Sequence, residues 1–225
     1  MGLFIAFIIL LLWAGHLVYS VLFVNVSLLS PLLYLHILIQ TFFYTGLFIT
    51  AHDAMHGTVA KNRKLNDFIG HLTTTLFAFL SYKILSKKHY LHHQFPATEN
   101  DPDFSPRSNN FFVWWFIFMK NYTTWWQIVL MAVTFNILLI WFSEAQLLAF
   151  WVIPAILSTF QLFFFGTYLP HRRPFSEEMK PHNSRSLRKN HLAAMLSCYF
   201  FGYHWEHHNS PTTPWWKLYQ IKKSG

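Results

Sequence analysis

The chain has 225 residues, of which 53% are hydrophobic and only 12% are charged, about half the charged fraction of an average soluble domain. This composition argues against a soluble protein and predicts a single membrane domain over residues 1–225. The net charge of +8 does not indicate a nucleic-acid partner, because the basic residues flank apolar segments without a recognition module. The single cysteine, Cys198, excludes an intrachain disulfide and is predicted to pack as a small hydrophobic side chain.

Four apolar segments are long enough to cross a membrane as helices. Short polar turns at 25–31 and 143–144 join them in pairs, which predicts two antiparallel hairpins. Pro154 predicts a kink in the last of them. Two histidines inside the first hairpin, His16 and His36, could ligate a haem, but we expect them to be hydrogen-bonded interior side chains. The predicted spans are residues 3–24, 32–50, 125–142 and 145–165.

The region between the hairpins is mixed in character. Residues 68–86 are apolar but interrupted by polar side chains, so we interpret them as a re-entrant or interfacial helix. A crossing here would separate the histidine-rich sequences on either side of it by the thickness of the bilayer. Residues 94–104 contain two prolines and three acidic residues, which predicts a loop. Residues 111–119 are too short to span and suit a helix at the membrane interface.

The lysine and arginine residues are distributed on one side of this arrangement. All seventeen lie within residues 61–120 and 172–223, and the two turns between paired spans contain none. By the positive-inside rule, the segments 52–120 and 166–225 are predicted to be cytoplasmic, and the two turns face the other side.

Three histidine clusters lie in these segments. Residues i, i+3 and i+4 share one face of a helix, so each triplet is predicted to aim three imidazoles at one point. Imidazole is the commonest side-chain metal ligand, and a zinc ion normally takes at most four ligands. Eight convergent histidines therefore suit two metal ions. The first cluster is His52 and His56, the second is His89, His92 and His93, and the third is His204, His207 and His208.

The predicted fold is thus an all-α integral membrane protein, with four transmembrane helices, interfacial or re-entrant helices and a cytoplasmic histidine-rich di-metal site. His171 follows the fourth span on the same side as the clusters, and a role as a ninth ligand stays open at this point. His182 and His191 have charged and polar neighbours, as solvated histidines do, and His71 is expected to be structural.

The ligand set narrows the choice of metal. Imidazole suits zinc, copper, iron and nickel alike. A structural zinc site would favour cysteine, which the lone Cys198 cannot supply. Two sites rich in histidine at a membrane face, beside apolar helices able to hold a lipid, point to iron that activates oxygen.

Several strings of this sequence resemble a known family. The three clusters resemble the histidine boxes of membrane fatty acid desaturases and related oxygenases. Further strings narrow the resemblance to the bacterial and cyanobacterial β-carotene ketolases. These strings are Phe48 to Gly57, Asn100 to Phe104, Phe165 to Arg172, and Gly202 to His208 followed by Pro214-Trp215-Trp216.

The resemblance implies a non-haem di-iron oxygenase in a bacterial inner membrane or its equivalent, with the active site on the cytoplasmic side. Such an enzyme uses O2 and electrons from a ferredoxin to oxidise the C4 methylene of a β-ionone ring, on a carotenoid dissolved among membrane lipids. Two hydroxylations at that carbon, followed by loss of water, convert β-carotene to echinenone and then to canthaxanthin.

The resemblance also implies roles for individual residues. It makes the eight cluster histidines and His171 the iron ligands, with no catalytic residue apart from the metal site. Metal-bound histidines usually donate their second N–H group to a carboxylate or a carbonyl. The acidic residues near enough in sequence to accept it are Asp53, Asp101, Asp103 and Glu206.

Alternative functions use the same residues. A carotenoid ring hydroxylase or an acyl-lipid desaturase would have the same ligands and would differ in the shape of its substrate cavity. A non-catalytic membrane carrier of metal or haem is more remote. A transporter places ionisable residues along a pathway inside its spans, whereas only His16 and His36 are internal here.

Overall fold

The computed structural model describes residues 1–222, and this part of the chain is helical without a β-strand. Helices α1 (Gly2–Phe23) and α2 (Pro31–Met55) form the first predicted hairpin. The rings of Trp13 and Tyr44 meet edge to face between them, with centroids 5.5 Å apart. α1 matches its predicted bounds closely. α2 runs past its predicted end because no residue before Gly57, whose φ is 71°, has a left-handed backbone conformation that would end the helix. The first cluster therefore lies at the end of the helix.

The stretch predicted as one helix over residues 68–86 folds as two. α3 (Arg63–Ala78) and α4 (Tyr82–Gln94) are bent by 103° at the break between them. Phe79 ends α3 in a left-handed conformation with φ of 54°, and the side chain of Ser81 caps α4. A bend of this size between adjacent helices fits either a broken span or a re-entrant pair, so the re-entrant or interfacial interpretation stays a prediction.

The returning helix brings the second cluster to the first. The Nε2 atom of His89 on α4 lies 2.7 Å from that of His56, which caps the end of α2. Both clusters therefore stand at the end of the bundle from which α3 departs. Gly70 of α3 permits this bend, because the ring of Tyr82 lies where a Cβ atom would be.

Two shorter helices follow the polar loop. α5 (Phe111–Tyr122) is the helix predicted at the interface, and it ends slightly later than predicted. α6 (Trp125–Leu138) has 14 residues and is shorter than the predicted span over 125–142. At about 1.5 Å per residue, it is about 21 Å long and does not reach the roughly 30 Å of a hydrocarbon core.

Helix α7 (Glu144–His171) is the longest, with 28 residues. It contains two π-helical turns, Leu148–Val152 and Phe164–Tyr168, and the first of these widens the helix just before Pro154. The helix continues six residues past residue 165, where the predicted span ends. The helix carries His171 in its last turn rather than in the loop that follows. Helices α1, α2 and α7 are therefore long and apolar enough to cross a membrane.

The third cluster lies near the C-terminus, on α9 (His204–Asn209). It is separated from α8 (His191–Cys198) by a tight turn, in which Tyr199 and Phe200 have φ of 48° and 59°. Cys198 is fully buried in the apolar core, which confirms its predicted role. The remaining short elements are 3-10 turns at Glu177–Met179 and Trp215–Lys217 and the helix α10 (Leu218–Ile221).

The two histidines inside the first hairpin are hydrogen-bonded, as predicted, and they also contact each other. The Nδ1–H group of His16 donates to the amide oxygen of Gln40 over 2.6 Å, and its Nε2 atom lies 3.1 Å from Nδ1 of His36. Polar groups inside an apolar bundle need such partners.

Replacing Gly70 with alanine is expected to lower the thermal stability of the protein in detergent. The added Cβ atom would lie 2.3 Å from the buried ring of Tyr82, and overpacking of this kind costs about 1–3 kcal/mol. Gly15→Ala on α1 is the control, since a Cβ atom there meets nothing within 4 Å. Size-exclusion of heated samples measures the effect, and equal losses in both variants would contradict it.

Candidate metal centre

The second and third clusters are each divided between two sites, which corrects the prediction that a triplet converges on one point. Successive helical residues are about 100° apart, so residues i and i+4 differ by about 40° and the residue between them at i+3 points elsewhere. His89 and His93 therefore face one site and His92 the other. The third cluster divides the other way: His204 and His208 face the same site as His92, and His207 faces the site of His89 and His93. The five-histidine site contains His52, His56, His89, His93 and His207, and the four-histidine site contains His92, His171, His204 and His208.

The nitrogen atoms of the five-histidine site converge closely. The Nε2 atom of His89 is 3.1 Å from that of His93, which is 2.9 Å from that of His207. His52 stands with its ring centroid 4.5 Å from those of His89 and His207, and its Nε2 atom is buried without a hydrogen-bond partner. Neutral imidazoles cannot satisfy so many facing nitrogens with one proton each. A bound cation satisfies them all.

The four-histidine site has the same character. The Nε2 atom of His208 lies 3.1 Å from those of His92 and His204. The ring of His171 is 4.9 Å from that of His92 and 5.0 Å from that of His204, between centroids. The Nε2 atom of His171 is buried and unpartnered. The structure thus brings all nine predicted histidines together, in two sets that fit two metal ions.

The rings of the third cluster are held in the neutral form. Burial lowers the pKa of His204, His207 and His208 well below the ordinary value, and the neighbouring histidines lower it further. A neutral imidazole keeps a free lone pair, which is the form that binds a metal.

Two ligand candidates are oriented by hydrogen bonds from their Nδ1 atoms. Nδ1 of His92 lies 3.0 Å from both carboxylate oxygens of Asp101, and the Nδ1–H group of His171 donates to the carbonyl of Asn183 over 2.9 Å. Such bonds direct the Nε2 atom toward a metal. Asp101 was predicted for this role. Asn183 was not, because a backbone carbonyl leaves no mark in a sequence.

Asp103 also lies near Nδ1 of His92, but its hydrogen-bond partner is Tyr122. Its carboxylate is 3.8 Å from Nδ1 of His92 and accepts a short hydrogen bond from the hydroxyl of Tyr122. Burial raises the pKa of Asp103 to about 6 against the opposing effect of His92. Burial, followed by the charge of Asp103, raises the pKa of Tyr122, so the phenol stays a donor.

The other two acidic residues connect the clusters to the C-terminal segment. Asp53 lies 3.7 Å from Nδ1 of His52 and accepts a 3.1 Å hydrogen bond from the backbone amide of Trp215, in the Pro-Trp-Trp string. Glu206 contacts Ser186 and Lys222 rather than a histidine ring among the described residues. The carboxylate of Glu206 therefore fixes α9 to Ser186 and Lys222 of the same chain instead of orienting a predicted ligand.

The three remaining histidines outside the first hairpin lie outside both sites. His182 was predicted to be solvated, but it is half-buried, with its ring centroid 5.6 Å from that of His208. His191 bonds through Nδ1 to the hydroxyl of Tyr203 over 3.1 Å, so it is also not a free surface side chain. His71 is exposed and contacts the ring of Tyr82.

A cavity of about 490 Å³ opens beside both sites. Four candidate ligands from both sites line it, and most other lining residues are apolar side chains of α3, α5, α6 and α7. Phe201 stands at its inner end between His52 and His204, at 5.0 and 5.3 Å between ring centroids. Gly166 makes room for Phe201, because a Cβ atom there would lie 2.0 Å from the Phe201 ring. The ligands that line the cavity are His52, His89, His92 and His204.

The helical fold and its histidine clusters match a known family. The family model described as fatty acid desaturase matches residues 29–126 and 115–224. The chain belongs to the fatty acid desaturase family.

Within this family, the chain is similar to carotenoid ketolases, which confirms the resemblance predicted from the sequence. A zeaxanthin 4-ketolase of Chlamydomonas reinhardtii is 44% identical over 182 residues, covering 79% of this chain and 41% of that protein. Beta-carotene 4-ketolase 3 of Haematococcus lacustris is 39% identical, covering 80% and 59%. A beta-carotene ketolase of Paracoccus sp. strain PC1 is 39% identical, covering 82% and 77%. The chain thus spans about half the length of the two algal proteins.

In this desaturase-family protein, His171→Ala is expected to lower the metal content from about two ions per chain toward one, because the four-histidine site loses a ligand. His191→Ala is the control, since its ring lies outside both sites and should leave the content unchanged. Elemental analysis of purified protein gives the ratio, and circular dichroism verifies the helix content. Wild-type metal content in His171→Ala would exclude that residue as a ligand.

Proposed function

We propose that this protein is a membrane-bound, O2-dependent ketolase that oxidises the C4 methylene of carotenoid β-ionone rings. The observation that carries the proposal is an apolar cavity ending on two sets of buried and half-buried histidines, in a chain similar to ketolases over about four-fifths of its length. A protein that only carries metal ions does not require a large apolar cavity next to them. The same cavity favours a bulky apolar substrate that enters from the bilayer.

The nine histidines are proposed to hold two iron ions, five ligands on one and four on the other. Bound iron would supply the activation of O2 that abstraction of hydrogen from the allylic C4–H bond requires. Imidazoles without a thiolate suit iron, and the only cysteine, Cys198, is buried in the apolar core away from both sites. The four-histidine set leaves more room for a further small ligand than the five-histidine set does.

The protein's own residues position the reacting carbon and exclude water. Phe201 packs against His52 and His204, so its ring forms a wall for a substrate ring held next to both sites. Asp101 and Asn183 hold His92 and His171 in fixed orientations. Preorganisation of this kind lets binding energy be used at the reacting centre.

The proposed reaction balances over two rounds. Each round consumes one O2, two electrons and two protons, inserts one oxygen atom at C4 and releases one water molecule. The second insertion gives a geminal diol, which loses water to form the ketone. β-Carotene accordingly gives echinenone, and a second ring gives canthaxanthin.

The electrons are proposed to come from a ferredoxin-type donor on the cytoplasmic side. The proposed topology has four crossings, α1, α2, α6 with its flanking residues, and α7, with α3 and α4 as a re-entrant pair. The one-sided distribution of lysine and arginine supports this topology. The last basic residue, Lys223, lies outside the described residues.

Single cysteines test this topology against a membrane-impermeant maleimide in intact cells. Leu29→Cys, at a position 95% exposed in the first turn, is expected to react, whereas Glu99→Cys, exposed in the polar loop near the metal sites, should react only after lysis. Natural Cys198 is buried and gives little background. Reaction of Glu99→Cys in intact cells would reverse the proposed sidedness.

Expression in cells that accumulate β-carotene tests the activity. Chromatography of extracted pigments should show echinenone and canthaxanthin with the wild-type chain. His92→Ala and His207→Ala, one in each site, should give at least a hundredfold less ketone while the protein remains inserted, because the spans and not the ligands drive insertion. Hydroxylated or desaturated products without a ketone would instead identify a hydroxylase or a desaturase.

A further inference from the structure

A second apolar cavity, of about 330 Å³, lies farther from the histidines. It is bounded by α1, the end of α3, α6 and the start of α7, and its wall includes Trp13 and Trp151. Two residues, Ala78 and Met131, line both this cavity and the one beside the metal sites. The two cavities therefore meet at this pair, which we name the Ala78–Met131 junction.

The cavities follow one another along the same helices. On α6, the first cavity touches Gln127 and the second touches Leu138, with Met131 between them. On α7, the order runs from Thr167 beside the histidines to Leu147 in the second cavity. Leu147 and Thr167 are twenty residues apart, about 30 Å along the helix at about 1.5 Å per residue. Together the cavities extend over roughly the thickness of a hydrocarbon core.

We propose that the two cavities form one channel for a single carotenoid molecule, with one ring at the histidines and the polyene passing the Ala78–Met131 junction. The second cavity then receives the distal ring. This inference rests on the proposed function and adds to it a measure of substrate length. A carotenoid is a rigid rod with a ring at each end, and such a rod cannot fold back to fit within the first cavity alone.

The shape and lining of the channel favour this occupant over a lipid chain. The second cavity adjoins the cavity beside the metal sites at two shared wall residues, and its aromatic residues Trp13, Phe79 and Trp151 match the flat faces of a polyene and its ring. Met131 is a flexible side chain that can adjust around the rod where the two cavities adjoin.

Narrowing the junction tests the proposal through substrate length. Met131→Trp should reduce the conversion of β-carotene more than that of retinal, which carries the same ring on a polyene half as long. The ratio of β-carotene conversion to retinal conversion should fall at least tenfold. The control is Leu130→Trp, because Leu130 is 42% exposed on the outer face of the same helix and lines neither cavity. An unchanged ratio in Met131→Trp, or an equal fall in Leu130→Trp, would overturn the channel.

A binding measurement tests the same channel without turnover. Thr134→Cys places a thiol in the wall of the second cavity, and natural Cys198 is buried. Bound β-carotene is expected to slow its reaction with N-ethylmaleimide at least fivefold, and retinal should not. Equal protection by both, or by neither, would overturn the proposal. If the wild-type chain formed no ketone but β-carotene still protected Thr134→Cys, the proposed reaction would fail while the channel stood.

Discussion

The packing of nine imidazole rings, six buried and three half-buried, at one end of an apolar helix bundle is the constraint on which the rest of the structure depends. Each neutral ring has one donor and one acceptor nitrogen, and leaving either unsatisfied when buried costs about 1–3 kcal/mol. Asp101 and the carbonyl of Asn183 satisfy donors on His92 and His171, and the remaining lone pairs face two points. Metal binding would convert this cost into stability, so that folding and metal loading are linked.

The reciprocal division of the clusters explains how separate segments are held together. The five-histidine site takes ligands from α4, α9 and the end of α2, and the four-histidine site takes them from α4, α7 and α9. Two ions would thus tie the bent pair of α3 and α4, the longest helix and the C-terminal segment to the end of the first hairpin. The hydrogen bond from Trp215 to Asp53 adds a metal-independent tie between residues 162 positions apart.

The parts of this arrangement that sequence reasoning predicted are those with a local signal. Unbroken apolar runs located α1, α2 and most of α7, and histidine spacing located eight of the nine histidines of the two sites. His171 belongs to no spaced cluster, so its role stays open without the family resemblance. The division of each triplet follows from the 100° step of a helix, yet which partner each face meets depends on the bend at Phe79. A phenylalanine with positive φ gives no warning in a sequence, whereas a glycine would. The half-buried position of His182 likewise depends on its packing against α9. The charged and polar residues next to it in the sequence give no sign of this packing.

The proposed channel, about as long as the bilayer core, would also constrain the order of the proposed reaction. Only one ring of a rigid rod can stand at the histidines, so oxidation of the second ring requires the molecule to leave and return reversed. The intermediate with one ketone then places its oxidised ring in the second cavity. Thr75 and Thr134 contribute side chains to that wall, where a hydroxyl can donate to the new carbonyl at little cost to an otherwise apolar surface. The same cavity can therefore hold either end of the substrate, as a two-ended reaction by one metal centre requires.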